Sequence, residues 1–271
     1  MSDRTSETGR GTAAEVGAEP TLDSRYASVV SRVAAAADRA GQDASRVHLI
    51  AVTKYAEVED IKRLVELGHR DFGENRVQQL TQRAAMIDEW VKRRQTLPAV
   101  AGDGPIPDPP RWHMIGTLQR NKAKQVAECS RLIHSVDSMR LAEELQSVGL
   151  KREQRLDVLI QVNVSGEDSK FGCPVPAAEP LAAAMESMAY LRVRGLMTMA
   201  PYSEDAENAR PHFARLRDVF EDMSKLGFGD GAFNLLSMGM SGDFEVGIEE
   251  GANLVRVGSA IFGERAAPAE G

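Results

Sequence analysis

The segment VHLIAVTK, at residues 47–54, decides the fold class of this chain. It is a nearly continuous run of apolar and β-branched residues that stops at Lys54, as expected for a parallel strand buried on both faces. A helical pattern follows at about residues 57–68. A buried strand followed directly by a helix is the repeating unit of an α/β protein.

The same strand-and-helix unit recurs along the chain. Further strands are predicted at residues 70–75, 112–116, 132–136, 158–163, 193–199, 233–238 and 254–257. With the first strand these make eight near-equal units in 271 residues, which favours a closed barrel over an open doubly wound sheet. The predicted fold class is therefore α/β, a single-domain (β/α)8 barrel of the TIM type.

Segments outside these units set the predicted domain limits. They are a disordered N-terminal tail at 1–23, the barrel at 24–265, an exposed insertion at about 97–110 and a C-terminal tail at 266–271. The N-terminal tail is polar and lacks the apolar core of a secretion signal. The barrel opens with a helical pattern at 26–40, for which Ser24 is the predicted cap. The insertion contains prolines and glycines that cannot continue a helix.

Composition argues against several classes of protein. Hydrophobic residues make up 42% of the chain, and no apolar run is long enough to span a bilayer. A net charge of −7 without a basic stripe argues against nucleic acid as a partner. The two cysteines, Cys129 and Cys173, lie far apart without metal-site spacing, so no metal is expected. These absences lead us to expect a cytoplasmic protein.

Candidate site residues follow from the predicted barrel, because the carboxyl ends of barrel strands line the site. This rule selects Lys54, Asn75, His113, Gly116, Asp137, Asn163, Met199, residues 237–241, Arg256, Gly258 and Ser259. The other histidines receive no functional role and are interpreted as surface or structural residues: His48, His69, His134 and His212. Of these, His134 is predicted to lie buried on a strand.

Lys54 directly follows the first strand, where a pocket with restricted access to water would favour an uncharged amine. Such an amine forms an imine with an aldehyde. A lysine at a strand end is also commonly a solvated charge at the rim, and this alternative stays open.

The seventh and eighth units end in small residues, SMGMSGD at 237–243 and VRVGSAIFG at 255–263. Small residues let backbone N–H groups approach an anion closely, and a helix start at Asp243 would add its dipole. The predicted phosphate cradle consists of Ser241, Gly242, Gly258 and Ser259. Tight turns without a ligand are the alternative.

Arg256 lies in an otherwise apolar strand, so its side chain points either into the barrel mouth or outward beneath a helix. An inward arginine needs a partner. A cofactor ring nitrogen, a phosphate or a structural ion pair would each supply one.

Taken together, several motifs in one order resemble those of the YggS/PROSC family of pyridoxal phosphate homeostasis proteins. They are AVTK ending at Lys54, DFGEN at 71–75, WHMIGTLQRNK at 112–122, HSVDS at 134–138, NVSGEDSKFG at 163–172, GLMTMAP at 195–201, LSMGMSGD at 236–243 and VRVGSAIFG at 255–263. The resemblance covers about Tyr26 to Gly263. The chain departs from the family pattern at Arg76 and Gln79, where tyrosine and glutamate are expected.

The resemblance implies a barrel like the N-terminal domain of alanine racemase, with pyridoxal 5′-phosphate (PLP) as cofactor. It implies that Lys54 is the Schiff-base lysine and that Arg256 lies near the pyridine nitrogen. The other implied cofactor-binding residues are Ser241, Gly258 and Ser259 at the phosphate, Asn75 and His113 along the cofactor, and Ser237 and Met238 on the same rim.

Three functions stay open for the sequence. The first is a PLP carrier in PLP homeostasis with little or no turnover, a monomer whose expected recipients are apo forms of PLP-dependent enzymes. It is preferred because a charged arginine at the pyridine nitrogen weakens carbanion chemistry. The second is a racemase-like enzyme, which needs a second acid or base opposite Lys54. The third is aldol-type chemistry of Lys54 on a sugar phosphate.

Overall fold

The strands of the protein form one parallel sheet that closes on itself, as seen in a computed structural model that describes residues 19–96, 108–167 and 170–263. The barrel strands in these ranges are β1 (His48–Val52), β2 (Asp71–Glu74), β3 (Arg111–Met114), β4 (Ser130–Val136), β5 (Leu156–Asn163), β7 (Leu191–Met197), β8 (Leu235–Ser237) and β9 (Leu254–Val257). A short strand, β6 (Cys173–Pro174), pairs with β5 beside the barrel. The predicted (β/α)8 barrel is confirmed.

The order of the strands around the barrel is β4-β3-β2-β1-β9-β8-β7-β5, and β5 pairs back to β4. The first and last strands are neighbours, since β1 pairs with β9 from His48 opposite Leu254 to Ala51 opposite Val257. Because the strands are parallel, their carboxyl ends all meet at one mouth of the barrel. The end of β1 lies there just before Lys54, and the end of β9 lies there just after Arg256.

Helices alternate with the strands and carry one buried apolar face each, as in α2, where Ile61, Leu64 and Val65 are buried. In the described ranges they are α1 (Leu22–Arg39), α2 (Val58–Glu66), α3 (Val77–Thr96), α4 (Ala123–Cys129), α5 (Met139–Arg152), α6 (Ala178–Glu186), α7 (Arg210–Ser224), α8 (Phe244–Glu249) and α9 (Ser259–Phe262). Within the part of the chain that is described, none of them is long and apolar enough to cross a membrane.

The start of the barrel differs from the prediction. Helix α1 begins at Leu22, and its cap is Thr21 rather than Ser24, because the Thr21 hydroxyl accepts the Ser24 N–H at 3.2 Å. The predicted tails lie largely outside the described residues, at 1–18 and 264–271. Of the predicted insertion, 97–107 also lies outside them, and Asp108 forms an ion pair with Arg70 at 2.9 Å.

The barrel interior is divided between apolar and polar side chains. One buried cluster consists of Ile50, Leu132, Leu159, Met197 and Leu254. Beside it lie buried polar side chains from other strands, namely His113, His134, Ser237 and Arg256. Barrel interiors are usually filled with branched apolar residues, so the polar part of this interior needs a separate explanation.

Candidate cofactor site

Two adjoining cavities open at the carboxyl ends of the strands. The larger, of about 550 Å³, is lined by Val52, Lys54, Asn75, Arg76, Ile115, Gly116, Thr117, Gln161, Phe171, Met199, Met240, Ser241, Arg256 and Gly258. The smaller, of about 430 Å³, is lined by Val52, Lys54, Tyr55, Gly258, Ser259, Phe262 and Gly263. Lys54 and Gly258 border both cavities, whose volumes are in the usual range for small-molecule sites of about 300–1,000 Å³.

Lys54 lies in the loop between β1 and α2 and is half-buried. Its Nζ atom is 4.6 Å from the centre of the Tyr55 ring, a distance at which an ammonium group is attracted to an aromatic face. The sequence-based placement of Lys54 at the mouth of the barrel is therefore correct.

An arginine that sequence analysis missed holds the Lys54 loop in place. The guanidinium of Arg83, on α3, donates to the backbone oxygens of Thr53 and Ala56, on either side of Lys54. It also pairs with the carboxylate of Glu74, which accepts the Thr53 hydroxyl as well. Glu74 is fully buried and Arg83 is 15% exposed, so this is an interior ion pair. Nothing in the sequence distinguishes Arg83 from the other arginines of α3.

Arg256 points into the barrel. Its Nη1 donates to the Ser237 hydroxyl at 2.6 Å, and its Nη2 donates to the Thr198 carbonyl at 2.8 Å. Within the described ranges its hydrogen-bond partners are this hydroxyl and this carbonyl, and no carboxylate pairs with it. Burial lowers the pKa of Arg256 to about 10, and the negative charge of Asp243 offsets part of that effect. The guanidinium keeps further N–H donors for a ligand in the larger cavity.

The loops after β8 and β9 meet at one oxygen atom. The Ser241 hydroxyl oxygen accepts the backbone N–H of Gly258 at 3.1 Å and that of Ala260 at 3.4 Å. Both N–H groups are thus directed at the Ser241 oxygen, and Gly258 borders the same two cavities as Lys54. Converging backbone N–H groups are a common arrangement around a bound anion. The predicted helix start is confirmed, since α8 begins after Asp243. Gly242 is exposed and belongs to neither cavity lining.

The remaining predicted residues lie at different depths. Asn75 lines the larger cavity, and its Oδ1 atom is buried without a hydrogen-bond partner in the described structure. Ser237 and Met238 are fully buried beneath the cavity, and Ser237 bonds Arg256. His113 is 4% exposed and borders neither of these cavities, since it lines a separate one at the amino ends of the strands. Direct contact of a cofactor with Ser237, Met238 or His113 stays a prediction.

Gln161, which lines the larger cavity, was absent from the predicted site. It is buried on β5, two residues before the selected Asn163. Residues two apart on a strand share a face, so strand alternation could have identified it. Asn163 instead accepts the N–H of Gly166 and the Ser165 hydroxyl, and so orders its own loop.

Fold and site together define a barrel of the alanine racemase type with a lysine at its cavity, and the family model described as "Alanine racemase, N-terminal domain" matches residues 27–266. The chain is 37% identical to the pyridoxal phosphate homeostasis protein of Aquifex aeolicus, over 89% of this chain and 97% of that protein. It belongs to the pyridoxal phosphate homeostasis protein family. The relative of that name from Pseudomonas aeruginosa is 38% identical, with 90% and 96% covered.

Solved structures show the same architecture. A protein of unknown function from Bifidobacterium adolescentis matches with a TM-score of 0.79 and 36% identity, over 89% of this chain and 94% of that chain. PipY of Synechococcus elongatus, solved with PLP bound, matches with a TM-score of 0.72 and 29% identity, over 90% and 100%. An alanine racemase from Clostridium difficile, at 12% identity and a TM-score of 0.59, shares the fold alone.

Gly116 provides a test of how closely the strand ends pack at this mouth. A Cβ atom there would overlap the backbone carbonyl of Asn75 and lie 2.7 Å from its Cα, and a backbone cannot rotate away. We expect Gly116→Ala to lower the free energy of unfolding by about 1–3 kcal/mol, measured by urea denaturation. Gly242→Ala is the control, because a Cβ there meets nothing within 4 Å. Equal losses in both variants would contradict this account.

Proposed function

We propose that this protein binds PLP as a Schiff base on Lys54 and acts as a PLP carrier in PLP homeostasis, with little or no turnover. The observation that carries the proposal is the convergence of Lys54, Arg256 and the loop N–H groups at Gly258 on two joined cavities. The PLP-bound structure of PipY and the names of the relatives support the choice of ligand.

Each part of the proposed site matches one part of PLP, which supplies an aldehyde, a pyridine ring and a phosphate when bound. Lys54 would hold the aldehyde end through its amine, whose condensation with an aldehyde would give an imine and release water. The N–H groups of Gly258 and Ala260 donate to the Ser241 oxygen in this structure and would donate to the phosphate when PLP is bound. Among the described residues the Oδ1 atom of Asn75 has no hydrogen-bond partner, so it supplies an acceptor in the larger cavity.

Arg256 favours holding PLP over turning it into an efficient catalyst. The guanidinium is buried and has no carboxylate partner in the described structure, so its free N–H groups suit an unprotonated ring nitrogen. A cation there opposes protonation of the ring, and an unprotonated ring is a weak electron sink.

The racemase-like alternative needs an acid or base on each face of the bound amino acid. The described linings of the two cavities contain no carboxylate and no imidazole. They contain one phenol, that of Tyr55, and it lies beside Lys54 rather than opposite it. This composition supports the carrier role. A monomeric state, a cytoplasmic location and transfer of PLP to apo-enzymes stay predictions.

The phosphate contribution can be measured by titrating the protein with PLP and with pyridoxal, which lacks the phosphate, while following absorbance. A charge-assisted hydrogen bond is worth about 1.5–3 kcal/mol, and the Gly258 and Ala260 N–H groups must give up their bonds to Ser241. With a net gain equal to about one such bond, we expect PLP to bind roughly tenfold to 100-fold more tightly than pyridoxal. Inorganic phosphate should compete with PLP only. Equal affinities for PLP and pyridoxal would contradict the proposal that Ser241 and Gly258 lie at the phosphate.

The carrier role is tested by mixing the PLP-loaded protein with an apo PLP-dependent enzyme and with single amino acids. We expect recovery of the apo-enzyme's activity and no racemisation of the amino acids. Substantial racemisation would favour the racemase-like alternative, and absence of any bound chromophore would favour the sugar-phosphate alternative.

A further inference from the structure

A line of hydrogen-bonded side chains crosses the interior of the barrel. Its members are Arg256 on β9, Ser237 on β8, His134 on β4, His113 on β3 and Asp71 on β2. The successive distances are 2.6 Å (Arg256 Nη1 to Ser237 Oγ), 3.1 Å (Ser237 Oγ to His134 Nδ1), 3.0 Å (His134 Nε2 to His113 Nδ1) and 3.1 Å (His113 Nε2 to Asp71 Oδ1). We call these residues the interior chain.

The interior chain joins the two mouths of the barrel. Arg256 lines the larger cavity at the carboxyl ends of the strands. Asp71 and His113 line a cavity of about 130 Å³ at the amino ends, together with Arg111 and His48. Burying polar groups is costly unless each is hydrogen-bonded, and apolar residues of similar size would fill this space without that cost. Packing alone therefore does not explain the interior chain.

The direction of each hydrogen bond follows from its neighbour. The Asp71 carboxylate can only accept, so the proton of His113 is on Nε2. With one proton per ring, His113 Nδ1 is an acceptor, and His134 must donate to it from Nε2. His134 Nδ1 then accepts the Ser237 hydroxyl proton, which leaves the Ser237 oxygen to accept from Arg256. Every donor points from Arg256 toward Asp71.

The surroundings of His134 favour a single proton on that ring. His134 is fully buried, and the buried cation Arg256 lies two hydrogen bonds away along the interior chain, so a positive charge on His134 would be both desolvated and repelled. Burial opposes the charged form of Asp71, but hydrogen bonds from His113 and Arg111 outweigh it and lower the pKa of the carboxyl to about 2. Burial lowers the pKa of His134 well below its ordinary value, and the positive charge of Arg256 adds to this effect.

We propose that Asp71, His113 and His134 are positioning residues that act through Ser237 to fix the guanidinium of Arg256 at the cofactor cavity. The tautomers of the two imidazoles direct the Ser237 hydroxyl proton to His134, and this orients the Ser237 oxygen that accepts from Arg256. The remaining Arg256 donors then stay available to the ligand. This inference rests on the proposed function in one respect, that Arg256 has a ligand. The interior chain itself is present in the protein without cofactor.

The first test is ¹⁵N NMR of the imidazoles in cofactor-free protein, with the five histidines assigned by single His→Gln variants. We expect His113 and His134 both to carry their proton on Nε2. His134 should stay uncharged at a pH at which an ordinary histidine, with a pKa of about 6.5, is charged. A proton on Nδ1 of either ring, or on both nitrogens, would overturn the proposal.

Variants at Asp71 test whether the far end of the interior chain controls Arg256. Asp71→Leu removes the acceptor and should mix or reverse the two tautomers, whereas Asp71→Asn keeps an accepting oxygen and should preserve them. Asp157→Asn is the matched control, since Asp157 is a buried carboxylate at the same mouth that pairs with arginines and no histidine. Unchanged tautomers in Asp71→Leu would refute the coupling.

Solvent exchange of the Arg256 guanidinium protons gives a second readout without cofactor. Ser237→Ala removes one hydrogen bond to a charged group and should speed this exchange roughly tenfold or more. Asp71→Leu should shift it in the same direction by a smaller factor, and Asp157→Asn should leave it unchanged. If only Ser237→Ala has an effect, the positioning role of Asp71 and the histidines fails, while PLP binding on Lys54 is judged separately by absorbance.

Discussion

Lys54→Ala should abolish the covalent attachment of PLP. Lys54 is the lysine that borders both cavities in the described structure, and an imine needs a primary amine at that position. The wild-type protein with added PLP should show a visible imine band, and borohydride reduction should leave a stable adduct that peptide mass mapping locates at Lys54. The variant should show neither the band nor the adduct.

Two further variants distinguish covalent attachment of PLP from its noncovalent electrostatic binding. Lys225→Ala removes an exposed lysine that pairs with Asp222, and should leave band and adduct intact. Lys54→Arg keeps a positive charge but cannot form the imine. PLP should therefore bind noncovalently, without the imine band. A full adduct in Lys54→Ala, or one mapped to another lysine, would contradict the assignment of Lys54.

Arg83→Ala should cause the largest loss of stability among the changes considered. The substitution leaves the fully buried Glu74 carboxylate without its cation and frees the carbonyls of Thr53 and Ala56. Breaking a buried pair by removing one partner typically costs about 3–5 kcal/mol, and urea denaturation should show a loss of that size. Because both carbonyls flank Lys54, the variant should also form the PLP adduct more slowly.

Arg93→Ala serves as the matched control on the same helix. Arg93 pairs with Glu89 four residues earlier, and both side chains are largely exposed, so its loss should cost about 0.3–0.5 kcal/mol. Replacing Glu74 and Arg83 together with leucine should recover part of the stability, since no charge is then left buried. A loss in Arg83→Ala no larger than that in Arg93→Ala would mean that the pair is not structurally important.

The fold was predictable because each buried strand and its following helix carry their own local pattern. The position of Lys54 followed from the same pattern, since it comes directly after an apolar strand. Arg256 stood out as a charge in an apolar strand, and the small residues Ser241 and Gly258 marked where backbone could approach an anion. These features depend on residues close together in the sequence.

The missed features depend on contacts between distant parts of the chain. His134 was correctly predicted to be buried, but its partners His113 and Ser237 come from strands that meet only in the closed barrel. The role of Arg83 likewise requires α3 to lie beside the Lys54 loop. The cap of α1 was misplaced because Thr21 and Ser24 both carry suitable hydroxyls, and sequence alone does not decide between them.

The pairing of the first strand with the last has a consequence for the synthesis of the protein. Lys54 is made early, whereas Arg256, Gly258 and Ser259 are among the last barrel residues to leave the ribosome. Long-range closure must therefore precede assembly of the site, and such closure is a late event in folding. A nascent chain therefore carries Lys54 without Arg256 and Gly258 beside it, so the proposed binding of PLP would require the closed barrel.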